Sequence, residues 1–232
     1  MPSPFLTARW LDLLLITWEV PDSLLLTRLP PGLTLDRWKG SALASLVAFD
    51  FAETRVLGVR WPGLVRFPEL NLRFYVRQGE QRGVCFIREY VPNPLLAGAA
   101  RLLYNEPYRA VPYLREGQAH VLEVANRQQR IDWDVSGDLF VPPVDTPAHF
   151  LKEHSRGYGR SRTGALLSYR VEHPVWRVWP RVTPRLDVDT GKLYGPEWAF
   201  LANRAPFEVT AAEGSAVAVF RAEVLGSPSQ SR

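Results

Sequence analysis

Glu69-Leu70-Asn71-Leu72-Arg73-Phe74-Tyr75-Val76-Arg77 is the stretch on which the fold of this chain turns. Leu70, Leu72, Phe74 and Val76 alternate with Glu69, Asn71, Arg73, Tyr75 and Arg77, and a strand sends successive side chains to opposite faces. One face is therefore core. The other carries a carboxylate, an amide, guanidinium groups and a phenol, and pattern alone leaves two readings open: a solvated face, or the lining of a polar cavity.

Outward from this strand the chain keeps the same character. Trp10 to Val20, Ser41 to Phe51, Gly83 to Glu89, Ala119 to Ala125, Arg130 to Val135, Ala165 to Glu172 and Ser215 to Leu225 are short apolar or alternating runs. The 20 prolines and 16 glycines cut the chain between such runs, which favours an antiparallel barrel or sandwich over repeated βαβ units. Helix signals are few. Asn93 suits an N-cap before Pro94, and Leu95, Leu96, Ala99, Leu102 and Leu103 form an apolar stripe expected to pack on the sheet. Thr146-Pro147 opens a second, shorter helix toward His154, and a third is expected around Asp22 to Leu29, stopped by Pro30-Pro31. The expectation is a β-rich α+β fold in one domain, residues 1–225, with short peripheral helices and a disordered Gly/Ser/Pro/Gln tail at 226–232.

At 232 residues and 46% hydrophobic the chain can bury a large core. It has one cysteine, Cys85, so no internal disulfide forms, and Val84, Phe86 and Ile87 around it suggest a buried, inert thiol. Asp12 and Glu19 bracket the apolar run Leu13 to Ile16, against a signal peptide. No run approaches the roughly 18 apolar residues of a membrane-spanning helix. A soluble cytoplasmic protein with no membrane partner is expected. The net charge of +4 is spread among acidic residues, which argues against nucleic acid. Of the 28 basic residues, 25 are arginine, leaving only Lys39, Lys152 and Lys192 for amine chemistry.

The usual catalytic signatures are missing: no GxSxG, P-loop, GxGxxG after a strand, or HExxH occurs. His149 and His154 would lie about 140° apart around a helix, poor geometry for one metal. Asp187-Val188-Asp189-Thr190-Gly191 resembles the start of a calcium loop but reads better as a turn, since Trp198 falls where the last ligand belongs. No metal and no cofactor are expected.

Several segments, in order, resemble the YqjF-like family of the acetoacetate decarboxylase superfamily. They are Trp10 to Val20, Leu29-Pro30-Pro31-Gly32-Leu33, Phe67 to Val76, Ala100-Arg101 through Pro107-Tyr108, Phe150-Leu151 and His173-Pro174-Val175-Trp176. The resemblance covers roughly residues 5 to 180 and implies a β-barrel enclosing a site. In the decarboxylase a Gly-Arg-Glu-x-x-Gly-x-Pro-Lys-Lys segment supplies a Schiff-base lysine, activated by an apolar site and the ammonium beside it. Here Arg101 and Pro107 match, but Tyr108 stands at the lysine and Arg109 at its neighbour. A phenol forms no imine and arginine keeps its proton, so covalent decarboxylation is not expected.

The resemblance favours the cavity reading of the Glu69 face. It implies a small-molecule site, with Glu69 and Tyr108 as acid/base candidates and Arg73, Tyr75, Arg101, Tyr104 and Arg109 as ligand-binding candidates for an anionic, carboxylate or keto-acid-like molecule. Two alternatives stand beside an enzyme: a non-catalytic ligand-binding or sensory barrel, and a buried Glu–Arg–Tyr network that only fixes the interior. Homo-oligomerisation stays open. A Glu69 carboxyl held well above about 4.3 favours proton transfer, and one strongly depressed by arginines favours a structural pair.

Overall fold

The computed structural model describes residues 3–225. The tail expected at 226–232 lies outside the described residues. The first half of the chain runs β1 (Leu6–Glu19), α1 (Asp22–Leu26), β2 (Thr34–Leu35), β3 (Leu43–Val56), β4 (Phe67–Gln78), β5 (Gln81–Val91), α2 (Pro94–Tyr104) and β6 (Tyr108–Ala110). It continues with β7 (Tyr113–Glu116), β8 (Ala119–Val124), β9 (Arg127–Ser136), α3 (Pro147–Lys152), β10 (Arg156–Arg160) and β11 (Leu166–Glu172). The last part holds β12 (Arg181–Asp187), α4 (Thr190–Tyr194), a 3-10 helix (Pro196–Asn203), β13 (Glu208–Val219) and β14 (Glu223–Leu225). No helix among the described residues is long and apolar enough to cross a membrane.

Ten strands share one sheet along the path β2-β4-β3-β1-β13-β11-β10-β5-β6, with β14 on β11. Because β4 also pairs with β5, seven of these strands, β4, β3, β1, β13, β11, β10 and β5, make a closed circuit of pairs. A bulge in β1 between Leu11 and Leu14, with Asp12 at φ 52°, adds bend and twist. The sheet is mixed, which corrects the expected antiparallel pattern: β5 lies parallel to β10 and to β6. The β5–β6 pair comes from one βαβ unit, β5-α2-β6, whose helical crossover carries the chain back to begin a parallel strand. A second, four-stranded sheet runs β12-β9-β8-β7.

The β4 alternation separates two buried layers rather than core from water. Leu70, Leu72, Phe74 and Val76 pack with Leu122, Ile131 and Trp133 of the second sheet and with Trp198. The opposite face of β4 joins a separate apolar cluster, in which Phe67 and Tyr75 meet Leu13, Val47, Phe49, Phe51 and Val84. Paired on both edges and covered on both sides, β4 keeps Glu69 and Asn71 each only 2% exposed.

The helices start where their caps stand. Asn93 Oδ1 accepts from the Leu95 amide at 2.8 Å, and Thr146 Oγ1 from that of His149 at 3.3 Å. The α2 stripe differs from expectation: Leu95, Leu102 and Leu103 are 78%, 65% and 48% exposed, and of this helix only Ala97 is buried. The helix borders a cavity and does not lie flat on a sheet face. The segment expected to be a turn at 187–191 instead ends β12 and opens α4, where Asp189 Oδ1 accepts from the Lys192 amide at 2.9 Å.

Candidate functional site

A cavity of about 440 Å³ lies on the Glu69 side of β4, and Glu69, Asn71 and Arg73 all line it. Period two puts them there together. Tyr108 on β6 enters the same space, and its hydroxyl donates to Glu69 Oε2 at 3.0 Å. Asn71 Nδ2 donates to Glu69 Oε1, also at 3.0 Å.

Two more carboxylates join Glu69, and both escaped the reading of the sequence. Glu89 lines the cavity from β5, as does Phe86 three residues before it, although a regular strand would turn residues three apart to opposite faces. A bulge resolves this: Leu72 pairs with Arg88 and Arg73 with Phe86, leaving Ile87 unmatched. Glu106 enters from the link between α2 and β6. Glu89 Oε2 and Glu106 Oε1 are buried without a hydrogen-bond partner. Tyr169 from β11 completes the group, and its ring covers Gly157, where a Cβ would meet Tyr169 Cζ at 2.0 Å.

Burial dominates the electrostatics. It pushes the Glu69 carboxyl up to about 7, against the opposing pull of the Asn71 and Tyr108 hydrogen bonds and the Arg73 charge. Glu106 is pushed up to about 8, again chiefly by burial, with the Glu69 charge adding to the shift. Burial and the charges of Glu106 and Glu69 raise Glu89 well above the usual range. Like charges this close cannot all ionise together, so the three glutamates titrate as a set. The Tyr108 phenol is itself pushed far up by burial and stays a donor.

Cationic and aromatic groups line the rest of the wall. Arg73 lies beside the Tyr75 ring, donates from Nη2 to the Leu151 carbonyl at 3.3 Å, and leaves Nε buried without a partner. Lys152, the last residue of α3, brings a fully buried ammonium into the cavity wall, paired with Glu153. Local pattern places this lysine on a short helix outside the family motif and gives no sign that it reaches the cavity. His154 lines the cavity and reaches Asp36 Oδ2 through Nε2 at 3.1 Å, with burial pushing its pKa down to about 4. His173 stacks on Trp176 with ring centres 4.3 Å apart.

The expected site residues divide accordingly. Glu69, Arg73, Tyr104 and Tyr108 line the cavity. Tyr75 does not. Its hydroxyl bonds Ser45 Oγ at 2.6 Å, and its ring is covered by Phe150 and His154. Arg101 and Arg109 are exposed and lie outside the lining. On α2 the lining positions Leu95, Leu96, Ala99, Ala100, Leu103 and Tyr104 form one stripe that, at about 100° per residue, leaves Arg101 turned away. On β6 alternation turns Arg109 outward when Tyr108 faces in. Among the described residues no group of three or more His, Cys, Asp or Glu is placed to hold a metal ion.

Solved structures with this fold are similar in architecture and distant in sequence. An acetoacetate decarboxylase from Legionella pneumophila superposes with a TM-score of 0.69 at 12% identity, covering 97% of this chain and 88% of that one. The enduracididine biosynthesis enzyme MppR, complexed with pyruvate, gives 0.66 at 12% identity over 97% and 92%. An acetoacetate decarboxylase-like enzyme from Sphingomonas wittichii gives 0.60 at 15% over 97% and 95%. At such identities the likeness shows the fold alone. The uncharacterized protein YqjF of Bacillus subtilis is 27% identical over 139 residues, 60% of this chain and 57% of that protein, so the match spans little more than half of that relative. The model of DUF2071, an uncharacterized conserved protein, matches residues 7–216, farther than the segments that first suggested the resemblance, and the chain belongs to that family.

Proposed function

We propose that the chain is a small-molecule enzyme that moves a proton on a carbonyl-bearing carboxylate ligand, without a covalent intermediate, inside a barrel formed by the seven-strand circuit. The observation that carries this is Glu69: a buried carboxyl in a cavity, held near 7 and hydrogen-bonded to the Tyr108 phenol. A group poised near neutrality serves equally as acceptor and donor. Strong depression by arginine, the mark of a purely structural pair, is the opposite of what burial produces here.

In this reading ionised Glu69 takes the proton from the carbon next to the carbonyl. The electron pair passes to the carbonyl oxygen, and Arg73 and Lys152 hold the ligand's carboxylate and the developing enolate. Returning the proton from Glu69 restores a neutral carbonyl. A binding or sensory barrel is the second reading, favoured by the presence of Tyr108 and Arg109 where the resemblance implies lysines.

The test is proton exchange in heavy water with a panel of 2-oxo acids, followed by NMR at the carbon beside the carbonyl. Exchange above background that is lost in Glu69→Gln supports the enzyme. Ligand binding without exchange would assign the binding barrel, and neither binding nor exchange would sink both.

A further inference from the structure

We infer that the ligand's body beyond the reacting carbonyl is a hydrocarbon, alkyl or aryl, seated in an apolar antechamber between α2 and the segment joining β3 to β4. This rests on the reading above for the ligand's polar head. It deepens that reading by naming the substrate class as an apolar-tailed oxo acid.

The cavity is not uniform. Its wall combines the charged Glu69, Glu89, Glu106 and Arg73 with the apolar Trp61, Leu64, Phe67, Leu95 and Leu103, of which Trp61 and Leu64 come from the segment joining β3 to β4 and Leu95 and Leu103 from α2. At about 440 Å³ it falls in the range of pockets that enclose drug-sized molecules, roughly 300–1,000 Å³. A four-carbon acid would leave most of it unfilled. Leu95 and Leu103 border the cavity yet stay 78% and 48% exposed, and Trp61 is 51% exposed. These residues gain from burial only when something apolar arrives. Because the charged and the apolar groups line one cavity, a single molecule with a polar head and an apolar tail fits both.

The physical consequence is a chain-length law. Each methylene moved from water onto apolar walls tightens binding about fourfold. The probes are pyruvate, 2-oxobutanoate, 2-oxohexanoate, 2-oxooctanoate, 2-oxodecanoate and phenylpyruvate, titrated calorimetrically into the full chain. Expected is a Kd that falls about fourfold per methylene until the cavity is filled, and phenylpyruvate binding at least tenfold more tightly than pyruvate. Ala100→Trp, which adds a large side chain to the cavity wall on α2, should flatten the series. Leu103→Gln provides a second variant if the first does not fold by circular dichroism.

Tight pyruvate binding with no length dependence would overturn the antechamber and leave the proton-transfer reading standing. Length dependence shared by 1-butanol and 1-octanol, with no advantage for the oxo acids, would keep the apolar site and remove the acid head. No binding in either series would overturn the inference. A concentration-dependent dimer in sedimentation that Ala100→Trp abolishes, beside a flat ligand series, would give this face to a second copy of the chain and also overturn it.

Discussion

The Tyr108 hydroxyl donates to Glu69 Oε2 at 3.0 Å, joining β6 to β4 over the intervening β5. Tyr108 occupies the position where the family resemblance puts a Schiff-base lysine, so a phenol that holds a carboxylate stands where an amine would attack a carbonyl. The hydrogen bond favours ionised Glu69 and therefore opposes the upward push of burial.

Tyr108→Phe should accordingly raise the Glu69 carboxyl further above about 7, because it removes a donor that stabilises the charged form while leaving the burial. Its cost in stability should be about 1 kcal/mol, the usual net worth of such a bond. Carbon-13 NMR titration of labelled glutamate, with Glu69→Gln to assign the signal, reads the shift. A midpoint that falls, or stays, would show that the phenol does not set the proton affinity of this carboxyl.

Stability should decline as pH rises from about 6.5 to about 8. Glu69 at about 7, Glu106 at about 8 and the raised Glu89 all bind protons more tightly folded than unfolded, where a glutamate titrates near 4.3. Stability from these groups is complete below the unfolded value and is lost as pH climbs through the folded ones. The buried histidines act in the opposite sense. His154, held near 4, and His120, well below its ordinary value, cost stability as pH falls below 6.5, so they mask the carboxylates mainly in that range. Above 6.5 an unfolded histidine turns from half-protonated to neutral, as the folded ones already are, so the three glutamates outweigh the two histidines and set the slope, up to about 1.4 kcal/mol per pH unit for each proton held. Thermal melting across this window should show a falling midpoint, and Glu106→Gln should flatten it. A midpoint that rises between these pH values would contradict the assignment.

Much of this site follows from one local pattern. The alternation in Glu69 to Arg77 separates core from cavity because strand side chains have period two wherever the backbone is regular. The same rule fails at Glu89, where the unmatched Ile87 shifts the phase of β5 within Val84-Cys85-Phe86-Ile87, a continuous apolar run that has no alternation for the bulge to interrupt. Arg101 was drawn in by its place in the family motif and is turned away by helical phase. The mixed sheet escaped for a related reason: a single helix between strands is a weak signal among many strand-turn-strand connections, yet it suffices to make β6 parallel to β5. Glu106 and Lys152 depend on long-range closure of the circuit, which no local periodicity encodes.

Lys152 decides the covalent alternative. Sequence placed it outside the family's lysine segment, and the fold nevertheless brings its ammonium into the cavity wall, with the side chain 1% exposed. An amine attacks a carbonyl only through a free lone pair, and the usual devices that release one are an apolar surround or a second cation beside it. Lys152 instead pairs with the Glu153 carboxylate, a cation placed to hold a ligand's carboxylate rather than to attack its carbonyl. Borohydride reduction in the presence of acetoacetate, then of pyruvate, should therefore leave the intact mass of the chain unchanged. Lys152→Met should weaken the binding of anionic ligands by roughly tenfold or more, the worth of a charge-assisted hydrogen bond at about 1.5–3 kcal/mol. A reduced adduct mapped to Lys152 would restore Schiff-base chemistry on a lysine from a different element of the fold, and would recast Glu69 as the group that moves protons on the imine.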